Sequence, residues 1–250
     1  MLAEDNSSLG MNEGYVGDPY TVYAAGGLFT QHELTTNIHL KKAVWRLSKG
    51  KFALVLPQSK ELRDLNRPDL AAYIRNMDLL QVAKTDLFIA RFDGLELDAG
   101  TVIEYMMAKQ LGKPAVILRS DSRLTASGDL DEPYNLMVKS WPRTVEVHTN
   151  ALMGYIGMYA QTSAAVGDKS SFEATLAAEL HTAEKGLDEV AQKLVEGLEA
   201  ALKLPSPYPS KYQELAYHAS RFSVGSGYQD LLTEEELADT LQRLRSHGTL

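Results

Sequence analysis

"DLFIARFDGLELDAGTVIEYMMAKQLGKPAVILRSD", residues Asp86 to Asp121, decides the fold. DLFIARFDG is an apolar, β-prone run that stops on the Asp93–Gly94 turn, so it reads as a buried strand. A helix opens at Asp98 and runs to Leu111, with Gly112 in the C′ position and Pro114 just beyond. AVILRSD is the next buried strand. Strand, helix and strand in this order form a βαβ unit, which joins parallel strands. One detail departs from a plain unit. The helix carries Glu104 on the face shared by Thr101, Ala108 and Leu111, and Asp98 stands at its mouth.

The same alternation extends both ways. YTVYAAG (Tyr20 to Gly26) reads as a first strand, followed by Thr30 and Glu33 at capping-box spacing and a helical face of Leu34, Ile38 and Leu47. FALVLP (Phe52 to Pro57) is a second strand. After the polar loop QSKELRDLNRP, Pro68 and Asp69 open a helix with Tyr73, Ile74 and Leu80. TVEVH (Thr144 to His148) alternates as a fifth strand. The expectation is an α/β fold: a doubly wound, mostly parallel five-stranded sheet, Rossmann- or flavodoxin-like. Ligands of such sheets lie beyond the carboxyl ends of the strands. That places Ala25 to Phe29, Pro57 to Lys60, Phe92 to Asp98 and Ser120 onward at one rim.

Beyond about residue 165 the pattern changes. From Phe172, apolar residues at 176, 180, 183, 187, 191, 194, 198 and 202 fall in steps of three and four. That predicts a long amphipathic helix with a narrow seam, packed on the core or on another subunit. LPSPYPS breaks it, a shorter helix covers Lys211 to Phe222, and TEEE caps a last helix through Leu237, Leu241 and Leu244. The expected organisation is a flexible arm over 1–19, an α/β catalytic domain over 20–165 and a helical extension over 166–250. The start of the chain has neither the basic stretch nor the apolar run of a signal peptide.

The formal charge of −8 argues against a broad nucleic-acid surface. No apolar run is long enough for a membrane helix. The absence of cysteine removes thiolate catalysis and Cys-based zinc sites and agrees with a cytoplasmic location, which is the expectation here. The six histidines are scattered, none at i, i+4 from another, so no metal site is expected.

The acids carry the functional question. Asp98 reads equally well as an N-cap, and Glu104 as a solvated helix residue. Asp78, in IRNMDLLQVAK, adds a third acid in line with Ile74 and Val82, where a carboxylate is costly unless paired or used. If the three meet at the rim, the helix dipole favours an ionised Glu104, and repulsion between Asp78 and Asp98 favours a proton on one of them. An ionised carboxylate nucleophile beside a carboxylic acid is the pairing that cleaves glycosidic bonds with retention.

TVYAAGGLFT, the acid at 78, DAGTVIE and PYNLM (Pro133 to Met137) occur in this order in nucleoside 2-deoxyribosyltransferases, and the chain resembles that family from about Tyr20 to His148. The resemblance implies that Glu104 is a nucleophile toward the anomeric carbon, holding the sugar as a covalent ester. It implies that Asp98 and Asp78 contact the base and manage its proton, and that Tyr23 orients the nucleophile. It places Phe29 against the nucleoside and Gln58 near the base, with Asp93, Gly100 and Met137 also at the substrate. It gives Asn135 to the neighbouring subunit's site, so a homo-oligomer is implied. The substrates implied are a 2-deoxyribonucleoside and a free nucleobase, with no cofactor. The family's members usually end near the equivalent of residue 165, so the extension is a departure. Two alternatives accompany this reading. One is an N-glycosidase acting on nucleosides or nucleoside 5′-monophosphates. Of its two substrates the 5′-monophosphate is disfavoured, because AAGGLFT shows no nearby arginine for a phosphate. The other is a non-catalytic nucleotide sensor with a helical output.

Overall fold

A computed structural model describes residues 14–59, 66–123, 134–165 and 171–250. The strands are β1 (Tyr20–Ala25), β2 (Phe52–Val55), β3 (Leu87–Arg91), β4 (Ala115–Arg119) and β5 (Thr144–His148). They form one parallel sheet in the order β2-β1-β3-β4-β5. This is the doubly wound, flavodoxin-like arrangement expected from the sequence. Central β3 and β4 are apolar on both faces because helices cover both, whereas edge strand β5 alternates.

One face carries Val22, Leu54, Leu87, Ile89, Val116 and Leu118, packed beneath α1 (Gln31–Leu47) and α5 (Phe172–Lys203). The other carries Tyr23, Phe88, Ala90 and Ile117. It lies beneath α2 (Leu70–Lys84), α3 (Ala99–Gln110), α6 (Ser210–Ser223), α7 (Tyr228–Leu231) and α8 (Glu234–Ser246). The C-terminal helices therefore complete both faces. The long helix is as predicted, but its seam has two fates. Ala191, Leu194, Leu198 and Ala201 are buried against the sheet, while Leu176 and Leu180 remain exposed. Gly197 permits the close approach, since a Cβ there would lie 2.7 Å from Val147 Cγ2. Gly112 is required twice: its φ is 69°, and a Cβ would lie 2.9 Å from Tyr208 Cδ2.

The helix α4 (Ala151–Ala165) has no counterpart in the sequence reading. It lacks a charged residue, so no polar face alternates with an apolar one to mark the period. At the start of the described residues, Tyr15 N donates to Lys49 O and its ring packs on Tyr20, so Tyr15 sits by the turn that leads into β2. Residues 1–13 of the expected arm, Lys60 at the expected rim, and Pro133 lie outside the described residues. Among the described residues no helix is long and apolar enough to cross a membrane.

At the sheet end away from the rim, the extension is tied down by buried charge. Asp86 is fully buried and accepts from Thr21 N (2.8 Å), Thr21 Oγ1 (2.7 Å), Arg243 Nη1 (2.7 Å) and, across a 3.0 Å contact, meets His247 Nδ1. Burial opposes its ionisation, but these partners hold it below the usual aspartate range. Nearby, Lys113 Nζ donates to Thr85 O, and Lys109 Nζ donates to Lys113 O, Pro142 O and Thr144 Oγ1. Burial pushes both lysines down to about 7. In the unfolded chain each keeps its proton to about pH 10.4. Between these values the unfolded state binds more protons, so stability climbs with pH. Urea unfolding is expected to show a rise from pH 7 to pH 9, at most about 1.4 kcal/mol per pH unit for each lysine. Lys113→Met should make that slope shallower. A flat wild-type profile would contradict the assignment.

Candidate active site

The order β2-β1-β3 places the topological switch between β1 and β3, where a doubly wound sheet opens its crevice. Tyr23 rises from β1 on the face covered by α2 and α3, its ring stacked on Phe88 of β3 at 5.8 Å. Its hydroxyl donates to Glu104 Oε1 at 2.7 Å. This bond joins two residues 81 positions apart that the sequence reading had paired. Glu104 lies in the second turn of α3 and is half-buried, between buried Thr101 and Ala108. A hydroxyl at that distance from a carboxylate fixes the orientation of the group.

Asp98 is the N-cap of α3. Its Oδ2 accepts from Thr101 N (2.7 Å) and Thr101 Oγ1 (2.8 Å). Both bonds fall on one oxygen, so Oδ1 has no protein donor among the described residues. Cap and rim acid are thus compatible roles for the same carboxylate. Gly100 is exposed, and a Cβ there would stand 3.1 Å from Asp98 Oδ2, so glycine keeps the cap open. Asp78 is half-buried in the middle of α2, which packs against α3.

The remaining predicted residues fall into two groups. Phe29 is 78% exposed beside the glycine turn and is not the packing aromatic that a strand-to-helix turn would use. Asn135 and Met137 are also exposed, and Asn135 Oδ1 accepts from Met137 N at 2.9 Å, capping a short 3-10 turn. Their segment is held at the rim by buried Tyr134, whose ring lies 6.0 Å from Phe92. Gln58 and Asp93 are tied into the frame. Gln58 Oε1 accepts from Asn37 Nδ2 (2.8 Å), and its Nε2 donates to Leu34 O (3.1 Å). Asp93 accepts from Ser120 N (2.6 Å), Ser120 Oγ (3.0 Å) and Asp121 N (2.9 Å), joining the ends of β3 and β4. Buried Arg119 reinforces that joint by donating to Phe92 O (2.5 Å) and Gly94 O (3.1 Å).

One element at the rim was not anticipated. Arg91, the last residue of β3, reaches under the AAGGLFT turn, donating to Asn37 Oδ1 (2.5 Å) and Gly27 O (3.0 Å). The expectation of no arginine near this turn is therefore corrected: the sheet brings one there from 64 residues away. Its position at the end of a buried strand was the signal available. Burial lowers its proton affinity, and Asp93 and Glu33 partly restore it. Glu33 in turn accepts from Phe29 N (2.9 Å), Thr30 N (2.8 Å) and Thr30 Oγ1 (2.9 Å). Burial opposes its charge, but these bonds and Arg91 hold it below the normal glutamate range. Arg91 and the amides of Phe29 and Thr30 are thus already bonded to the protein's own acceptors.

The sequence model described as nucleoside 2-deoxyribosyltransferase matches residues 22–137. Among solved structures, the 2-deoxyribosyltransferase of Bacillus psychrosaccharolyticus is similar at 16% identity. It covers 52% of this chain and 85% of its own, with a TM-score of 0.41. The Leishmania mexicana 2-deoxyribosyltransferase is 24% identical over 51% of this chain and 90% of its own, with a TM-score of 0.39. A CMP N-glycosidase of Clostridium botulinum is 16% identical over 56% of this chain and 98% of its own, with a TM-score of 0.33. No curated protein sequence matches the chain. The part of the chain that is similar to the nucleoside 2-deoxyribosyltransferase family, Val22 to Met137, holds Tyr23, Asp78, Asp98 and Glu104.

Proposed function

We propose that this protein transfers the 2-deoxyribosyl group between nucleobases by a retaining double displacement. A Glu104 oxygen attacks C1′ of a 2-deoxyribonucleoside as the C1′–N bond breaks, and the electron pair leaves with the base. Asp98 or Asp78 supplies the proton that neutralises the departing base. The sugar is held as a glutamyl ester. A second base attacks C1′, returns its proton to the acid and frees Glu104. Phe29 lies against the nucleoside, and Gln58, Asp93, Gly100 and Met137 line or frame the pocket. Asn135 reaches the sugar in the site of a neighbouring subunit, so the active form is a homo-oligomer. A cytoplasmic location belongs to the same reading.

The observation that carries this proposal is the 2.7 Å bond from Tyr23 to Glu104 at the switch point. A glutamate oriented by a tyrosine hydroxyl within two turns of a helix start is positioned as a nucleophile rather than left to solvent. The commitment of Arg91 and of the turn amides to Asn37, Gly27 and Glu33 favours a nucleoside over its 5′-phosphate. In the deciding experiment, 2′-deoxyinosine is incubated with adenine and the products are separated by chromatography. Formation of 2′-deoxyadenosine is the expected result. Hypoxanthine without a new nucleoside, at saturating adenine, would favour the hydrolase, and no product at all would favour the sensor.

Tyr23 acts through Glu104, so it is a positioning residue. Removing a hydrogen bond to a charged group costs about 1.5–3 kcal/mol, so Tyr23→Phe is expected to lower kcat roughly 10- to 100-fold. The acidic limb of the pH–rate profile should also move to higher pH, because the carboxylate loses a donor. A fall in kcat with an unmoved acidic limb would assign Tyr23 a packing role only.

A further inference from the structure

The helix α4, ALMGYIGMYAQTSAA, emerges at the rim, where Ala151 N donates to Ser120 O. It runs beside the first half of α5. Gly154, Met158 and Thr162, at four-residue steps, are half-covered, and Gly154 faces Glu189 of α5. Leu152, Met153, Ile156 and Ala160 fall on the opposite side of the helix. There Leu152 and Met153 are each 60% exposed and Ile156 is 51% exposed. On the adjoining half of α5, Phe172, Leu176 and Leu180 are also exposed.

These side chains, with Tyr155, offer roughly 700 Å² of surface, against about 800 Å² per partner in a standard interface and about 300–600 Å² for the largest patch on a typical monomer. Gly157 adds a second sign. Among the described residues a Cβ there would meet nothing within 4 Å, so no contact with them calls for a glycine that a helix interior disfavours. Glycine next to alanine on an outward face permits close approach of another backbone.

We propose that α4 and the start of α5 form the contact between two copies of this chain. The charge distribution selects a second copy as occupant. Each chain carries a formal −8, and two copies repel wherever their acidic surfaces face one another. The helix α4 has no charged residue in fifteen, so its self-pairing about a two-fold axis brings no α4 carboxylates together, while Glu173 and Glu179 of α5 flank the contact. Because α4 starts at the rim, this contact sets the partner beside the end of the sheet that carries the site. The proposal extends the homo-oligomer of the functional reading by naming its surface, and it is read out by mass, independently of turnover.

The test is sedimentation velocity with light scattering on the full chain, from low-micromolar to hundred-micromolar concentration. The wild type is expected at the mass of a dimer or an even multiple of it. Leu152→Asp combined with Ile156→Asp is expected to weaken association by about 100-fold or more, since it buries unpaired carboxylates in the contact. Circular dichroism should remain native, as both positions are exposed. Gly157→Arg serves as a second variant should the first lose its fold, and it should also shift the mass to monomer. A wild type monomeric throughout, or folded variants with unchanged mass, overturns the proposal.

Discussion

Glu104→Ala is expected to abolish base exchange, with kcat/KM falling by at least about 10⁴-fold, while the protein remains folded. Glu104 is half-buried, and its hydroxyl partner Tyr23 can stay seated by stacking on Phe88 when the carboxylate is gone. The thermal unfolding midpoint should therefore change little. The size of the loss follows from the proposed role. A residue that forms the intermediate has no substitute, since Asp98 and Asp78 stand elsewhere on α3 and α2 and cannot take its place at C1′. Product analysis of 2′-deoxyinosine with adenine checks it. Retention of more than a few percent of wild-type exchange would remove Glu104 from the centre of the mechanism.

A chain ending at residue 165 is expected to lose cooperative folding altogether. Leu194, Leu198, Leu232, Leu237, Leu241 and Leu244 are all buried in the two core clusters. Each buried leucine contributes about 1.5–3 kcal/mol, so together they rival the roughly 5–15 kcal/mol of net stability of a whole domain. Their removal also bares the face of β4 that α5 covers and leaves Asp86 without Arg243 and His247. Circular dichroism against temperature would show no sigmoidal transition. Within the intact chain, Leu198→Ala should cost about 2–5 kcal/mol by leaving a cavity under the sheet. A truncated chain that melts cooperatively near the full-length midpoint would instead establish 166–250 as a separate appendage.

The sheet was legible because its strands are bounded by turn chemistry and several of its helices open on a cap. Thr30 with Glu33, Asp98 and Thr233 all cap the helices whose starts they were read to mark. The long helix was legible from its seam, but the seam could not say which surface it meets. Only the fold shows that Ala191 to Ala201 cover the sheet while Leu176 and Leu180 extend beyond that contact. The helix α4 was invisible because periodicity needs contrast, and an uncharged helix offers none.

At the site, the local part was readable and the long-range part was not. Asp98 and Glu104 announce themselves on one helix, and the family resemblance joined Tyr23 to them. Arg91 reaches the glycine turn from another strand, and Tyr134 anchors the Asn135 segment against Phe92. Neither pairing leaves a spacing in the sequence, because the contacts depend on which strands are neighbours. Gln58 and Asp93 show the converse. Their residue type suggested ligand contact, and the structure finds their polar atoms engaged with Asn37, Leu34, Ser120 and Asp121.

The central claim is that Glu104 carries the sugar between two bases. The most direct measurement incubates the protein with a slow 2-fluoro-substituted deoxynucleoside, without acceptor, and maps the digested peptides by mass spectrometry. The account predicts stoichiometric release of base and a fluorosugar adduct on Glu104, discharged when a free base is added. An adduct on another residue, or base release with Glu104 unmodified, would contradict it.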